Sequence, residues 1–167
     1  MRRRLVNQFL AAFLAVIAGA PMAPRAATAD DADKTLPQLA AQWRRLRALK
    51  GHFDGAPWSD EVDRWGGAKH QTLMRIAQLL VSRRAALADV EATLGRPDAV
   101  VRQGAPDHDR MLAAMSRPST PEGSCPQVDS AEAADFWLYR WRGQHDQVAL
   151  VLRQGRVVGC GWLLDWE

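Results

Sequence analysis

The chain has 167 residues and a formal net charge of +3, from 22 Lys and Arg against 19 Asp and Glu. Four of the basic residues, Arg2, Arg3, Arg4 and Arg25, precede residue 30, while all the acidic ones lie at or after it, so the part from Asp30 onward carries 18 basic and 19 acidic side chains, a net −1. A body so close to neutral excludes nucleic acid as a partner, because the high isoelectric point belongs to the first residues, and its length suits one hydrophobic core rather than two.

Arg2, Arg3 and Arg4 stand before an unbroken apolar run from Phe9 to Ala20 and a stretch of small residues. That order predicts a cleavable signal peptide over residues 1–29. The run is shorter than the roughly twenty residues that cross a bilayer, which argues against a permanent membrane anchor. Ala27-Thr28-Ala29 fits the small-x-small cleavage rule, whereas cutting after Ala20 would place Pro21 at the new terminus. No cysteine follows closely, so lipid attachment is not expected, and the location implied is periplasmic or secreted.

Between Asp30 and Lys50, Leu36, Leu39, Trp43, Leu46 and Leu49 recur at spacings of three and four. They predict one amphipathic helix, with Thr35 as its N-cap, Pro37 in its first turn and Gly51 as its stop. Gly51 to Gly67 reads as a loop, and its bulky residues Phe53, Trp58 and Trp65 are expected to tuck against the core. Leu73, Ile76, Ala77, Leu80 and Val81 then mark a second helix. The heptad Leu73, Leu80, Leu87 and Leu94 suggests a zipper, but Arg83 occupies the companion seam that Ile76 and Val90 would share. A break over Ser82–Ala88 is predicted instead, then a short helix over Val90–Leu94 ended by Gly95 as a left-handed cap with Pro97 beyond.

Asp98–Gln103 reads as a short strand or an extended link, and Asp107–Met115 as a further turn or two of helix. Ser116–Ala133 is rich in Ser, Pro, Gly and acidic residues without periodicity, which predicts a flexible surface loop. The last third changes period from 3.6 to 2. Phe136–Arg142, Gln147–Arg153 and Val157–Trp166 are β-rich runs joined by Gly143–Asp146 and by Gln154-Gly155, connections too short for anything but antiparallel neighbours. The fold class expected is α+β, a single domain over residues 30–167 with N-terminal helices packed on a C-terminal three-stranded antiparallel meander.

Cys125 and Cys160 are the only cysteines, and in an oxidising compartment such a pair is a candidate disulfide. It would close a loop of about 35 residues and stabilise by roughly 3 to 4 kcal/mol. The alternative is two thiols, one of them buried.

Catalytic constellations are sparse. His52 with Asp54, and His108 between Asp107 and Asp109, are the densest groups of metal-ligand types, but neither has a zinc spacing. There is no Gly-x-Ser-x-Gly elbow, and His145-Asp146 falls in a hairpin turn. No enzyme, metal or cofactor is predicted. The alternative is a hydrolase or metal-dependent enzyme using His52, Asp54 or His70.

The aromatic pattern is more informative. Trp137, Tyr139 and Trp141 alternate on one side of the first run, and Cys160, Trp162, Leu164 and Trp166 on one side of the third. Their simplest role is the core. Yet Phe136, Leu138 and Leu163 make the opposite sides apolar too, and few helices are at hand to cover both. One side is therefore a candidate docking surface, with Trp137, Tyr139, Trp141, Trp162 and Trp166 as contact residues beside Phe53 and Trp58 of the loop.

Leu94-Gly95-Arg96-Pro97-Asp98 after a short helix, with a meander ending Gly-Arg-Val-Val-Gly-Cys-Gly-Trp, resembles the SmpA/OmlA (BamE-like) family of small envelope proteins over Val81–Trp166. The resemblance implies two helices on a three-stranded antiparallel sheet, a periplasmic site and a role in binding other proteins. The segment His52–Trp58 and the pair Lys69-His70 also resemble those of uncharacterised exported proteobacterial proteins, which implies no particular activity. The function expected is that of an exported binding protein with an envelope partner, in envelope assembly or maintenance. A cell-wall carbohydrate binder is a further alternative, suggested by seven tryptophans.

Overall fold

The computed structural model describes residues 34–115, 134–144 and 146–164. Helix α1 spans Leu36–Ala48, α2 Ala68–Ser82, α3 Leu87–Leu94 and α4 His108–Met115; strands β1 to β4 span Ala99–Val101, Asp135–Arg142, Asp146–Arg153 and Arg156–Leu163. The fold is α+β. No helix among the described residues is long and apolar enough to cross a membrane.

Thr35 is the N-cap of α1, as its sequence predicts, with Pro37 in the first turn. Gln38 reaches back to accept the Thr35 N–H at 2.8 Å, half of a capping box. Arg83 interrupts the heptad at the C-terminus of α2, and α3 starts at Leu87, earlier than predicted. Gly95 ends α3 with φ +78°, but its ψ of −171° is extended rather than left-handed helical. The junction that follows is tied by its carbonyls. Leu94 accepts the Trp43 indole N–H at 3.1 Å and Arg47 at 2.8 Å, and Gly95 accepts the Tyr139 hydroxyl at 3.0 Å. Asp98 receives Arg47 at 2.7 Å and the Arg140 N–H at 2.8 Å. The Leu-Gly-Arg-Pro-Asp segment thus joins α1, α3 and the sheet.

The sheet corrects the expected meander. It has four strands in the order β1-β2-β3-β4, all antiparallel, because Ala99–Val101 pairs with Phe136–Leu138. Nor are the helices all N-terminal, since α4 lies between β1 and β2 in sequence. It brings Met111 and Leu112 onto Phe136, Leu138, Ala149 and Val151. The opposite face packs Trp137, Tyr139, Trp141, Val148, Leu150, Cys160 and Trp162 against α1, α2 and α3. Both faces therefore have a core, and the uncovered sheet face expected from the helix count is not present over these residues. In β4 a register irregularity opposite Val151 and Leu152 puts Val157 and Cys160, three residues apart, in the same layer, and alternation is regular from Cys160 onward. Residues 1–33 and 116–133, which hold the expected signal peptide, the expected flexible loop and Cys125, lie outside the described residues, as do His145 and Trp166.

Candidate functional site

The loop from Gly51 to Gly67 is organised from within by one carboxylate. Asp63 is fully buried and accepts the His52 N–H on both oxygens, each at 3.0 Å, and the Ser59 N–H at 2.8 Å. Such charge-assisted bonds to backbone N–H groups draw both ends of the Gly51–Ser59 segment onto one residue. Gly51 is required by this closeness, since a Cβ there would overlap the Asp63 carboxylate, and Gly67 likewise meets the Asp60 carbonyl. His52–Asp54 form a single 3-10 turn.

Arg142, at the end of β2, clasps the loop from the sheet side. Its Nη1 donates to the Asp63 carbonyl and its Nε to the Asp146 carboxylate, while its guanidinium lies 4.5 Å from the Phe53 ring centre and 4.2 Å from that of Trp141. Trp141 in turn donates its indole N–H to the Val62 carbonyl at 2.8 Å. Asp63→Asn keeps the shape but turns an amide N–H₂ toward backbone donors. It is expected to destabilise by about 2 kcal/mol and to speed amide exchange at His52 and Ser59 while the sheet amides stay protected, as measured by hydrogen exchange.

Held in this way, the loop presents aromatics to solvent. Phe53 is 44% exposed and Trp58 54%, their ring centres 6.4 Å apart, with the exposed His52 ring 5.5 Å from Phe53. The expectation that both would tuck inward is corrected: only Trp65 of the three packs against the core. The reason is local. The Trp58 indole N–H is satisfied by Asp60 at 2.9 Å within the loop, and Gly143 brings the β2–β3 turn against the Phe53 Cβ, so neither ring has a core position left to fill.

Behind the loop lies a buried polar pair at the start of α2. Lys69 is 4% exposed, and its ammonium makes no hydrogen bond or ion pair among the described residues. Burial lowers its pKa, opposed by Asp54 and Asp63. His70 is 5% exposed and boxed by indoles, stacked on Trp162 at 4.7 Å and 9°, with Trp65 at 4.0 Å and Trp141 at 4.9 Å. Among the described residues neither of its ring nitrogens has a hydrogen-bond partner, and the Trp162 indole N–H has none either. Burial, with Arg142 adding to it, pushes the His70 pKa down to about 4, so the ring is neutral at pH 7.

The remaining sequence candidates divide clearly. Tyr139, Trp141 and Trp162 are buried in the core and Trp137 is half-buried against it, so the docking role proposed for them on an open sheet face is corrected. Cys160 is buried in the same layer, and no free cysteine occurs among the described residues, its candidate partner Cys125 lying outside them. His52 and Asp54 are close to each other but exposed on the 3-10 turn, and His70 is walled off behind Trp65. Buried His108 is held at 2.9 Å by the Ala134 carbonyl, as a structural residue. Among the described residues no three His, Cys, Asp or Glu side chains gather as metal ligands. Missed from sequence were Asp63 and Arg142, the residues that shape the loop, and the burial of Lys69. Lys69 and His70 did carry a signal, since Lys69 with Thr72, Leu73 and Ile76, and His70 with Leu73, Met74 and Ala77, fall on the inward side of α2.

No family model, no curated protein and no solved structure matches this chain.

Proposed function

We propose that this is an exported binding protein of the cell envelope, and that it engages a partner protein through the aromatic loop. The observation that carries the reading is the exposure of Phe53 and Trp58 on a loop pinned by buried Asp63 and by Arg142. Two large rings held in solvent by a preorganised backbone lose little entropy on docking, the property of interface anchors. The N-terminal pattern of Arg2–Arg4 and the apolar run supports export, and the α2–α3 pair followed by the β2–β3–β4 meander supports kinship with the SmpA/OmlA family. A binding role also accounts for His52 and Asp54 standing in the open beside these rings.

The test is capture from envelope extracts with the parent chain and with the double variant Phe53→Ser, Trp58→Ser. Because both side chains are about half exposed and neither belongs to a core cluster, the melting temperature should move by only a few degrees, a change of about 1 kcal/mol. One partner retained stoichiometrically by the parent and lost by the variant is the expected result. Equal recovery by both would overturn the assignment to this loop. Retention on a peptidoglycan column, abolished by the same double change, would transfer the rings to a glycan-binding role.

A further inference from the structure

The end of the sheet opposite the aromatic loop has a different character. There the β3–β4 turn, Gln154-Gly155, lies against the α2–α3 turn, joined by Leu87 N–H to the Gly155 carbonyl at 3.2 Å and Val157 N–H to the Ala85 carbonyl at 2.9 Å. This brings Arg83, Arg84 and Arg156 together in solvent, with Arg153 directly across the ladder from Arg156. The Arg156 guanidinium donates to the Arg84 carbonyl at 3.3 Å. Among the described residues Arg83, Arg84 and Arg156 form no ion pair. The C-terminus of α2 favours basic residues through the helix dipole, which accounts for Arg83 and Arg84 and, through its bond to the Arg84 carbonyl, in part for Arg156, but not for three exposed guanidinium groups without a carboxylate among them.

A second observation falls at the same place. Arg84, with φ +48°, and Gln154, with φ +51°, are the non-glycine residues of positive φ among those described, and they occupy the two turns that form this end. Glycine would adopt that backbone without steric cost. Strain retained beside clustered like charges is a cost to folding that a bound anion would offset.

We propose that this end is a membrane-facing surface that binds anionic phospholipid headgroups through Arg83, Arg84 and Arg156. Guanidinium groups pair phosphate oxygens in a bidentate manner. A protein partner is the poorer fit, because the buried core of a protein interface is more apolar than the surrounding surface and its charged groups lie mostly in the rim. The exposed large apolar side chains lie elsewhere: Phe53 and Trp58 at the other end of the sheet, Val100 on the far edge strand, Leu49 after α1. Residues from Asp30 onward sum to −1, so three arginines gathered here leave −4 on the rest, an asymmetry that orients the molecule on a negative surface. The aromatic loop then points away from the membrane, about 25 Å off along the eight residues of β3.

The test uses the chain from Asp30 onward, which contains every described element and both cores. Co-sedimentation is measured with vesicles of phosphatidylcholine alone and of equal parts phosphatidylcholine and phosphatidylglycerol. The parent should partition onto the anionic vesicles at least tenfold better, and lose that preference as salt rises from about 0.1 M to 1 M and the screening length falls from about 10 to 3 Å. Arg83→Ser, Arg84→Gly, Arg156→Ser together should lower partitioning roughly a hundredfold, at about fivefold per arginine. The control Arg44→Ser, Arg102→Ser, Arg110→Ser carries the same charge change outside the cluster and should lower it far less. An equal loss in both triple variants, or no anionic preference in the parent, would overturn the proposal. Release of the parent by inorganic phosphate at constant ionic strength would also do so, revealing a free-phosphate site. Retained melting temperature in the Arg84→Gly set keeps the comparison one of binding.

Discussion

Trp141→Ala is expected to lose about 4 kcal/mol of unfolding free energy, a large part of what a domain of this size possesses. The ring is fully buried, packs edge-to-face on Trp65 and Trp162 with centres 5.5 and 5.7 Å away, and carries the Arg142 guanidinium on its face. Its removal opens a cavity, strands the Val62 carbonyl that the indole N–H satisfies, and takes away the surface on which Arg142 rests. The loop should therefore loosen along with the core. Trp141→Phe keeps most of the apolar volume and gives up the hydrogen bond, so a loss of about 1 to 2 kcal/mol separates the two contributions. Urea titrations of both variants read the difference directly. A Trp141→Ala protein that unfolded at the parent's urea midpoint would show that the ring is not part of the core and return it to the list of contact residues.

The same ring shows what sequence alone could and could not reveal. Alternation assigned Trp137, Tyr139 and Trp141 to one side of β2 and Phe136 and Leu138 to the other, and each set does fall in its own core layer. A period of two is a property of the strand itself, so it survives without knowledge of neighbours. Coverage of the second face is a tertiary property. It depends on α4, an eight-residue helix too short to display a full apolar stripe, and on β1, whose three residues give no alternation to read. The loop failed for a related reason. Phe53, Trp58 and Trp65 are all bulky aromatics in a segment without periodicity, and the bonds of Asp63 and Arg142, which join residues 11 and 79 apart in the chain, decide which of them faces water. Arg83, Arg84 and Arg156 were likewise plain in composition, while their meeting rests on the bonds between two turns.

These contacts separate the molecule into ends with different demands. Around the Gly51–Gly67 loop, the rigidity that keeps Phe53 and Trp58 exposed depends on the bonds of Asp63 and Arg142. At the β3–β4 turn the side chains are solvated and the strain is in the backbone. The β-strands that connect the two ends are packed on both faces, so the geometry between the rings and the arginines is set by the most stable part of the fold.

His70→Phe is expected to remove an acid sensitivity of about 3 kcal/mol from the folded state. In the parent, the unfolded chain protonates this imidazole near pH 6.5, whereas the folded one holds it neutral down to about pH 4. Between those values the unfolded state binds the extra proton, so the stabilisation is fully present above pH 6.5, declines as pH falls through that window and is gone below about 4. The cause is the box itself: three indoles displace water from the ring, and Arg142 repels a second positive charge. The indole faces offer an imidazolium some cation–π attraction, but at about 2 kcal/mol or less this does not restore the lost hydration. Phenylalanine fills the box without a titrating group and removes two nitrogens that have no partner among the described residues. Its stability above pH 6.5 should therefore stay within about 1 kcal/mol of the parent's, the gain from apolar packing offsetting a slightly larger ring. Urea midpoints measured across the window should fall steeply for the parent and much less for the variant. Parallel curves would mean that His70 meets water or a partner in solution, and that the indole box does not isolate it.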